Sequence, residues 1–150
     1  MNELKPFEDK LAGLLAALSP AGRRRLTVEI AKKLRQRQQQ RIKSQKAPDG
    51  TPYAPRKSQP IRAKKGRIKR EMFAKLRTNR YLKASGNDSA AVVEFTGKVQ
   101  RIAKVHQYGL KDRASVHGQQ IKYEARILLG LNVHEQSIIN DVIIKHLKDG

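Results

Sequence analysis

The sequence predicts an α+β fold in which two N-terminal helices and a basic extended arm precede a small antiparallel sheet and a C-terminal helix. Three observations lead to this prediction. Apolar residues recur at steps of three and four near both ends, a proline-rich and basic segment lies between them, and short apolar runs flanked by turn residues follow it. With 150 residues, the chain has the length of one domain. We therefore expect a single domain over 1–150, with a helical part at 1–46, a basic extended arm or loop at 47–70 and an α+β core at 71–150.

The composition narrows the possible function classes. Lysine and arginine number 33 against 13 aspartate and glutamate residues, so the formal net charge is +20 and the expected neighbours are polyanions or acidic protein surfaces. The low hydrophobic fraction, 38%, makes a monomeric enzyme with a deep pocket less attractive. The sequence has no cysteine, which excludes disulfides and thiolate zinc sites. No run approaches the roughly 20 apolar residues that span a bilayer, and we see no secretory signal, so we expect the protein to act where it is made.

Periodicity and capping residues predict the two N-terminal helices. Apolar residues recur with helical spacing over 3–18, after which Ser19 can cap the second helix and Pro20 suits its first turn. This second helix should run to about Gln45. Its apolar stripe thins after Leu34, so its C-terminal half should project from the core and contact a partner. The candidate DNA or partner contacts on that half are Arg35, Arg37, Arg41 and Lys43.

A turn and a basic arm follow the second helix. Pro48-Asp49-Gly50 predicts a turn whose aspartate side chain bonds the following backbone. From Arg56 to Arg70 there are eight basic residues and no acidic one, and such a run cannot bury itself. These eight complete the candidate DNA or partner contacts: Arg56, Lys57, Arg62, Lys64, Lys65, Arg67, Lys69 and Arg70.

The predicted sheet begins with a hairpin. A third short helix is expected over 69–77, and strands over 81–84 and 91–95 should pair across the turn-rich segment 85–88. Next comes a short helix from Val99, for which Gly109 is the expected C-terminal cap.

The last part of the chain should contain one more strand and the C-terminal helix. Residues 111–119 are expected to form a loop and residues 120–125 a strand. The final helix carries an apolar stripe from Ile138 to Leu147 and should end near Gly150.

The sequence shows no catalytic apparatus. Four histidines, His106, His117, His134 and His146, raise the question of a metal site, but their spacing matches no zinc pattern and no helix carries an HExxH pair. Nucleophile elbows, phosphate-binding loops and dinucleotide fingerprints are also absent from the sequence. We therefore predict a protein that is not an enzyme and uses no cofactor or metal. A metal-dependent nuclease is retained only because the four histidines are unexplained.

Charge alone also supports a sequence-nonspecific nucleic-acid-binding protein. Phosphate neutralisation requires charge density but no particular residue spacing. Aromatic residues are few in the basic run, with only Tyr53 near its start, so base stacking of single strands is poorly supported. The alternative is a basic surface that faces protein and becomes ordered in an assembly.

Three segments together resemble the phage virion morphogenesis family, which includes tail completion proteins of peduovirus-type contractile-tailed phages. They are the loop Pro48-Asp49-Gly50-Thr51-Pro52-Tyr53, the segment Ile102-Ala103-Lys104-Val105-His106-Gln107-Tyr108-Gly109, and the run Glu124-Ala125-Arg126-Ile127-Leu128-Leu129-Gly130-Leu131. Members commonly have a "PARPFLG"-like stretch in the third segment, and this chain departs from it at the proline and phenylalanine positions.

The resemblance implies a structural virion protein that completes the neck end of the tail and enables head–tail joining. By analogy it would form a homo-oligomeric ring, hexameric, with an axial DNA channel. Its partners would be tail tube or tail terminator proteins, head connector or neck proteins, and genomic DNA, with no membrane. It would be assembled in the host cytoplasm and reside in the tail neck, as either a terminator or a joining protein. We place His106, Tyr108 and Arg126 at a subunit interface or at the core edge, since a ring needs heterologous contacts.

Overall fold

A computed structural model describes residues 5–56, 71–113 and 118–149. The elements are α1 Lys5–Ala16, α2 Pro20–Lys43, β1 Leu82–Gly86, β2 Ala91–Phe95, α3 Gln100–Tyr108, β3 Lys111–Arg113, β4 Gln120–Lys122 and α4 Val133–Asp149. Strand β1 pairs with β2, and β3 pairs with β4, as two separate two-stranded sheets. The predicted α+β class is confirmed. None of the helices in these ranges is both long and apolar enough to cross a bilayer.

The chain forms two compact units, each built from segments that are distant in sequence. The described residues of the first, here called the helical unit, are 5–35, 84–94 and 133–149. Those of the second, here called the motif unit, are 36–56, 71–83, 95–113 and 118–132. The subdivision at residues 46 and 70 that the sequence suggests stays a prediction.

In the helical unit, α2 begins as the sequence predicts. The Gly22 amide donates to Ser19 Oγ at 3.1 Å, and the Arg23 amide donates to the Ser19 carbonyl at 2.8 Å. The first bond satisfies an amide that has no carbonyl partner within the helix, the second is the first i→i−4 bond of α2, and Pro20 has no amide hydrogen to satisfy. The predicted cap and start of α2 are therefore confirmed.

The core of the helical unit comes from α2 and α4. Its buried apolar side chains keep the helical spacing of three and four residues: Leu26, Ile30 and Ala31 in α2, and Ile139, Val142 and Ile143 in α4. The turn of the first hairpin meets α2 at Thr27, whose Oγ1 donates to the Asn87 carbonyl at 2.5 Å. A Cβ on Gly86 would lie 2.6 Å from Thr27 Oγ1 and 2.7 Å from the Val28 nitrogen, so glycine is needed for this approach.

The first hairpin is confirmed, with its turn shifted toward the C-terminus. Strand β1 includes Ser85 and Gly86, which were expected in the turn. The shift follows from Asn87, whose Oδ1 accepts the amides of Ser89 and Ala90 at 2.7 and 2.9 Å and so fixes the reversal after the glycine.

Two predictions in the middle of the chain are wrong. The part of the expected third helix that the structure describes, 71–77, consists of turns, because Phe73 has φ +66°, which an α-helix does not allow. The expected loop at 111–119 begins with β3, which pairs antiparallel with β4 in the register Lys111 with Lys122 and Arg113 with Gln120. Strand β3 has no apolar residue, so the sequence has no alternation that would predict it.

Smaller differences concern the ends of elements. Helix α2 ends at Lys43 and not at Gln45, which has φ +60°. Strand β4 ends at Lys122, three residues before the predicted end. The cap of α3 is confirmed: Gly109 has φ +63° and its amide donates to the Val105 carbonyl.

Candidate assembly site

The three motif segments of the sequence converge in the motif unit. Tyr53 Oη donates to the Ile127 carbonyl at 2.8 Å, and Asn132 Nδ2 donates to the Pro48 carbonyl at 3.0 Å. The Arg126 amide donates to the His106 carbonyl at 2.7 Å. Residues 123–132 are here called the bridging segment. These bonds join the bridging segment to the proline-rich loop and to the end of α3.

Amide side chains hold the bridging segment, which has no regular secondary structure. Gln107 Oε1 accepts the amides of Leu128 and Leu129 at 2.8 and 3.0 Å, and Gln107 Nε2 donates to the Leu129 carbonyl at 2.9 Å. Gln38 Nε2 and an Arg41 guanidinium nitrogen both donate to the Gly130 carbonyl, at 3.0 and 3.1 Å. These side chains replace the neighbouring strand that would otherwise satisfy the backbone.

This arrangement corrects the expectation that the C-terminal half of α2 projects from the core. Gln38 is only 3% exposed, and Ile42 is fully buried. A pattern of apolar residues counts glutamine as a surface residue, whereas Gln38 is buried because its amide satisfies the backbone at Gly130. The end of α2 is thus part of the motif unit's interior.

A chain of four aromatic rings runs through the same region. Tyr53 meets Phe73 at 5.6 Å between ring centroids, Phe73 meets His106 at 4.9 Å, and His106 meets Tyr123 at 5.2 Å. All three contacts are edge-to-face, the geometry that aromatic quadrupoles favour. Gln45 holds the strained turn before Phe73, since its side chain exchanges two hydrogen bonds with the Met72 backbone at 2.9 and 3.1 Å.

Burial determines the protonation of two of these rings. Burial raises the pKa of Tyr53 to about 12, although the charge of Arg41 opposes the shift. Burial also lowers the pKa of His106, and the nearby positive charge of Arg126 adds to the effect. The imidazole of His106 is therefore neutral at pH 7, and its buried Nδ1 makes no hydrogen bond to any residue that the structure describes. His106 acts here as a packing ring.

Arg126 holds the backbone of the predicted arm just before its basic run, which begins at Arg56. Its side chain is 7% exposed, with Nε 2.8 Å from the Ala54 carbonyl and a terminal nitrogen 3.1 Å from the Pro55 carbonyl. Hydrogen bonds from a buried guanidinium are among the stronger ones in proteins. We call this contact the arm-root clamp, because it fixes the point from which the arm would extend.

The residues singled out from sequence occupy different places. Arg35 lies in the helical unit and the others in the motif unit; Arg35, Arg37 and Arg41 are half-buried, and Lys43 and Arg56 are exposed. His106 is half-buried, Arg126 is buried and Tyr108 is exposed. The remaining arm residues lie outside the described ranges: Lys57, Arg62, Lys64, Lys65, Arg67, Lys69 and Arg70. Their assignment to DNA, to a partner or to a subunit interface stays a prediction.

Sequence reasoning missed the roles of Gln38, Gln45 and Phe73. Gln107 belongs to one of the three segments recognised in the sequence, but no role was assigned to it. Its place in that segment was the only sequence signal that could have indicated its importance. Within 5–56, 71–113 and 118–149, no three histidine, aspartate or glutamate side chains are grouped to hold a metal. His146 instead lies 3.4 Å from a carboxylate oxygen of Glu29.

The chain belongs to the phage virion morphogenesis family, whose model matches residues 2–148. It is similar to tail completion protein S of Escherichia phage P2, with 52% identity over 149 residues and 99% of each chain covered. The resemblance read from the three segments is thereby confirmed. No solved structure matches the chain.

Proposed function

We propose that this protein completes the neck end of a phage tail and so enables the tail to join a DNA-filled head. The observation that carries the proposal is the 52% identity to a tail completion protein over 99% of both chains. The geometry supports it, because the motif unit is braced through side chains from three segments and holds the root of the arm at Arg126. These features position surfaces for contact, which is what a structural role requires. The protein would lie in the neck region of the virion.

We propose further that the working form is a homo-oligomeric ring, a hexamer by analogy. A ring closes through heterologous contacts, in which each subunit offers one patch and receives another. An arm that starts from the fixed carbonyls of Ala54 and Pro55 has a defined origin from which to reach a neighbour. The ring would stack on tail tube or tail terminator proteins and present its other side to head connector or neck proteins.

The exposed basic residues of α2 and those of the arm would line an axial channel for DNA. With a net charge of +20, a ring of such subunits attracts phosphates, but each contact is screened by salt and individually weak. Weak contacts suit a channel, since DNA is retained and can still pass.

Light scattering of the purified protein, with and without duplex DNA over a range of salt, tests the oligomer. A ring-sized mass, or a subunit that ignores DNA at physiological salt, supports the assembly proposal. Stoichiometric DNA complexes of a monomer that dissociate steeply with added salt would overturn it in favour of a free nucleic-acid-binding protein.

A phage whose own copy of the gene is disrupted tests the role in the tail. Electron microscopy should show filled heads and unjoined tails, and the wild-type chain supplied from a plasmid should restore joined particles. Normal yields of joined particles without the protein would refute the role.

The channel is tested by reversing charge on the arm. The variant has glutamate in place of Arg62, Lys64, Lys65 and Arg67. Particles assembled with it should lose DNA, and normal DNA retention would refute the channel proposal. A matched control has glutamate in place of four exposed lysines elsewhere in the chain, Lys32, Lys75, Lys83 and Lys148. It should leave DNA retention unchanged.

A further inference from the structure

We propose that a groove between α3 and the β3–β4 hairpin of the motif unit binds a segment of a partner protein that carries both carboxylates and an apolar side chain. The groove has a volume of about 420 Å³. Its walls are formed by Arg101, Lys104 and Val105 of α3, and by Leu110, Lys111 and Asp112 at the start of the hairpin. We call it the α3–hairpin groove.

The groove is already shaped, because one ion pair and one backbone bond, from the Leu110 amide to the Val105 carbonyl at 2.9 Å, join the start of the hairpin to α3. Arg101 and Asp112 form a bidentate pair, with oxygen–nitrogen distances of 2.6 and 3.2 Å. The Tyr123 amide donates to the Leu110 carbonyl at 3.1 Å. Gly109 turns the chain between α3 and β3, and a Cβ there would lie 2.9 Å from the Ala125 nitrogen. A partner would therefore bind without first having to order this surface.

Apolar side chains are exposed at the groove. Leu110 is 39% exposed, and Ile121 is 41% exposed on the strand opposite Asp112, on the same face of the ribbon. Tyr108, at 65% exposure, follows Lys104 by one helical turn and so extends the same face of α3. Exposed apolar groups that flank a shaped groove are typical of a binding surface.

The charged side chains of the α3–hairpin groove determine which kind of partner segment it binds. The one acidic side chain in the groove, Asp112, is paired with Arg101, whereas within the described ranges neither Lys104 nor Lys111 has an ion-pair partner. Carboxylates on a partner would complement these two ammonium groups, and its apolar side chain would cover Leu110.

Other occupants fit the groove less well. A phosphate backbone would complement the lysines but would leave Leu110, Ile121 and Tyr108 uncovered. A second copy using the same face would place Lys104 and Lys111 against the same lysines, which costs free energy through like-charge repulsion. An acidic, apolar-bearing protein segment satisfies both the charged and the apolar part of the groove.

The partner's location rests on the proposed function, which places it among the tail and neck proteins of the virion. The test uses a full-length chain with a photo-crosslinking phenylalanine analogue in place of Tyr108, supplied to a phage that lacks its own copy. Irradiation should link the chain to a different virion protein, at a peptide containing aspartate or glutamate beside an apolar residue.

Charge-reversal variants then decide the proposal. Lys104→Glu with Lys111→Glu should lower the crosslink yield about tenfold or more, because two attractions become two repulsions. Changing two acidic residues of the crosslinked peptide to lysine should restore it. The control Lys32→Glu with Lys83→Glu, at exposed positions away from the groove, should leave the yield unchanged. Unchanged circular dichroism and thermal unfolding of both variants would exclude misfolding.

Several results would overturn the proposal. One is that crosslinks form only to DNA or to another copy of the chain. Another is that charge reversal at Lys104 and Lys111 leaves the crosslink yield unchanged. A third is that charge reversal in the partner fails to restore the crosslink yield. Failure of the proposed function is distinct, because joined particles would then form without the protein at all. If particles need the protein but accept the double reversal with a normal crosslink yield, only the docking proposal fails.

Discussion

Replacing Gln107 by methionine should destabilise the protein more than its half-buried position suggests. The substitution keeps the approximate side-chain volume and removes three hydrogen bonds to the bridging segment. Leu128 is fully buried, so its amide loses its partner without gaining water, at a cost of about 1–3 kcal/mol. The two groups of Leu129 are half-buried and regain some hydration, so each adds about 0.5–1 kcal/mol.

The expected decrease in the free energy of unfolding is therefore about 2–5 kcal/mol, which corresponds to roughly 5–20 °C in Tm. Urea unfolding followed by circular dichroism measures it, and amide hydrogen exchange should become faster at Leu128 and Leu129 specifically. The control is Gln36→Met at an exposed position of α2, which should change stability by less than about 0.5 kcal/mol. A Gln107→Met variant as stable as this control, with both amides still protected, would refute the view that one side chain replaces a missing strand.

Three further predictions concern the clamp, the buried imidazole and the hairpin. Arg126→Met removes the donors that hold the arm root, so trypsin should cleave after Arg56 several-fold faster; an unchanged cleavage rate would contradict the clamp. Burial, together with the charge of Arg126, lowers the pKa of His106, so the unfolded state takes up the proton first and stability should fall as the pH drops below about 6.5. His106→Gln should flatten that part of the Tm–pH curve, and parallel curves for the two proteins would contradict the assignment. Gly86→Ala should cost about 1–3 kcal/mol in urea unfolding because its Cβ meets the α2 backbone, whereas Gly97→Ala, with nothing within 4 Å, should cost far less, and equal losses would refute the close approach.

The features that sequence reasoning predicted correctly are those determined within a few residues. Ser19 caps α2 and Gly109 caps α3 through bonds that span no more than four positions, so local chemistry is sufficient to identify them. The apolar stripe of α4 is likewise a local pattern, and Ile139, Val142 and Ile143 are buried as it indicates.

The features that it missed depend on partners far along the chain. Gln38 forms a hydrogen bond with Gly130, 92 positions away, and no sequence pattern around either residue indicates this bond. Phe73 has a left-handed backbone conformation that aromatic residues rarely adopt, and its contacts with Tyr53 and His106 show why the fold tolerates it. The candidate site was therefore predictable as three recognisable segments, but not as the braced arrangement that they form.

Uncharged amides make most of the side-chain hydrogen bonds to the bridging segment, beside one from the Arg41 guanidinium. The stability of the segment therefore depends little on the ionic conditions around the subunit. The bonds that Gln38, Gln107 and Asn132 make to the backbone neither titrate nor weaken much when counterions accumulate. In the neck position proposed above, beside DNA, a subunit with a net charge of +20 would meet large local changes in ion concentration. A change in salt concentration would therefore alter how tightly the subunit binds neighbouring molecules, while the fold that positions its charged side chains stays the same.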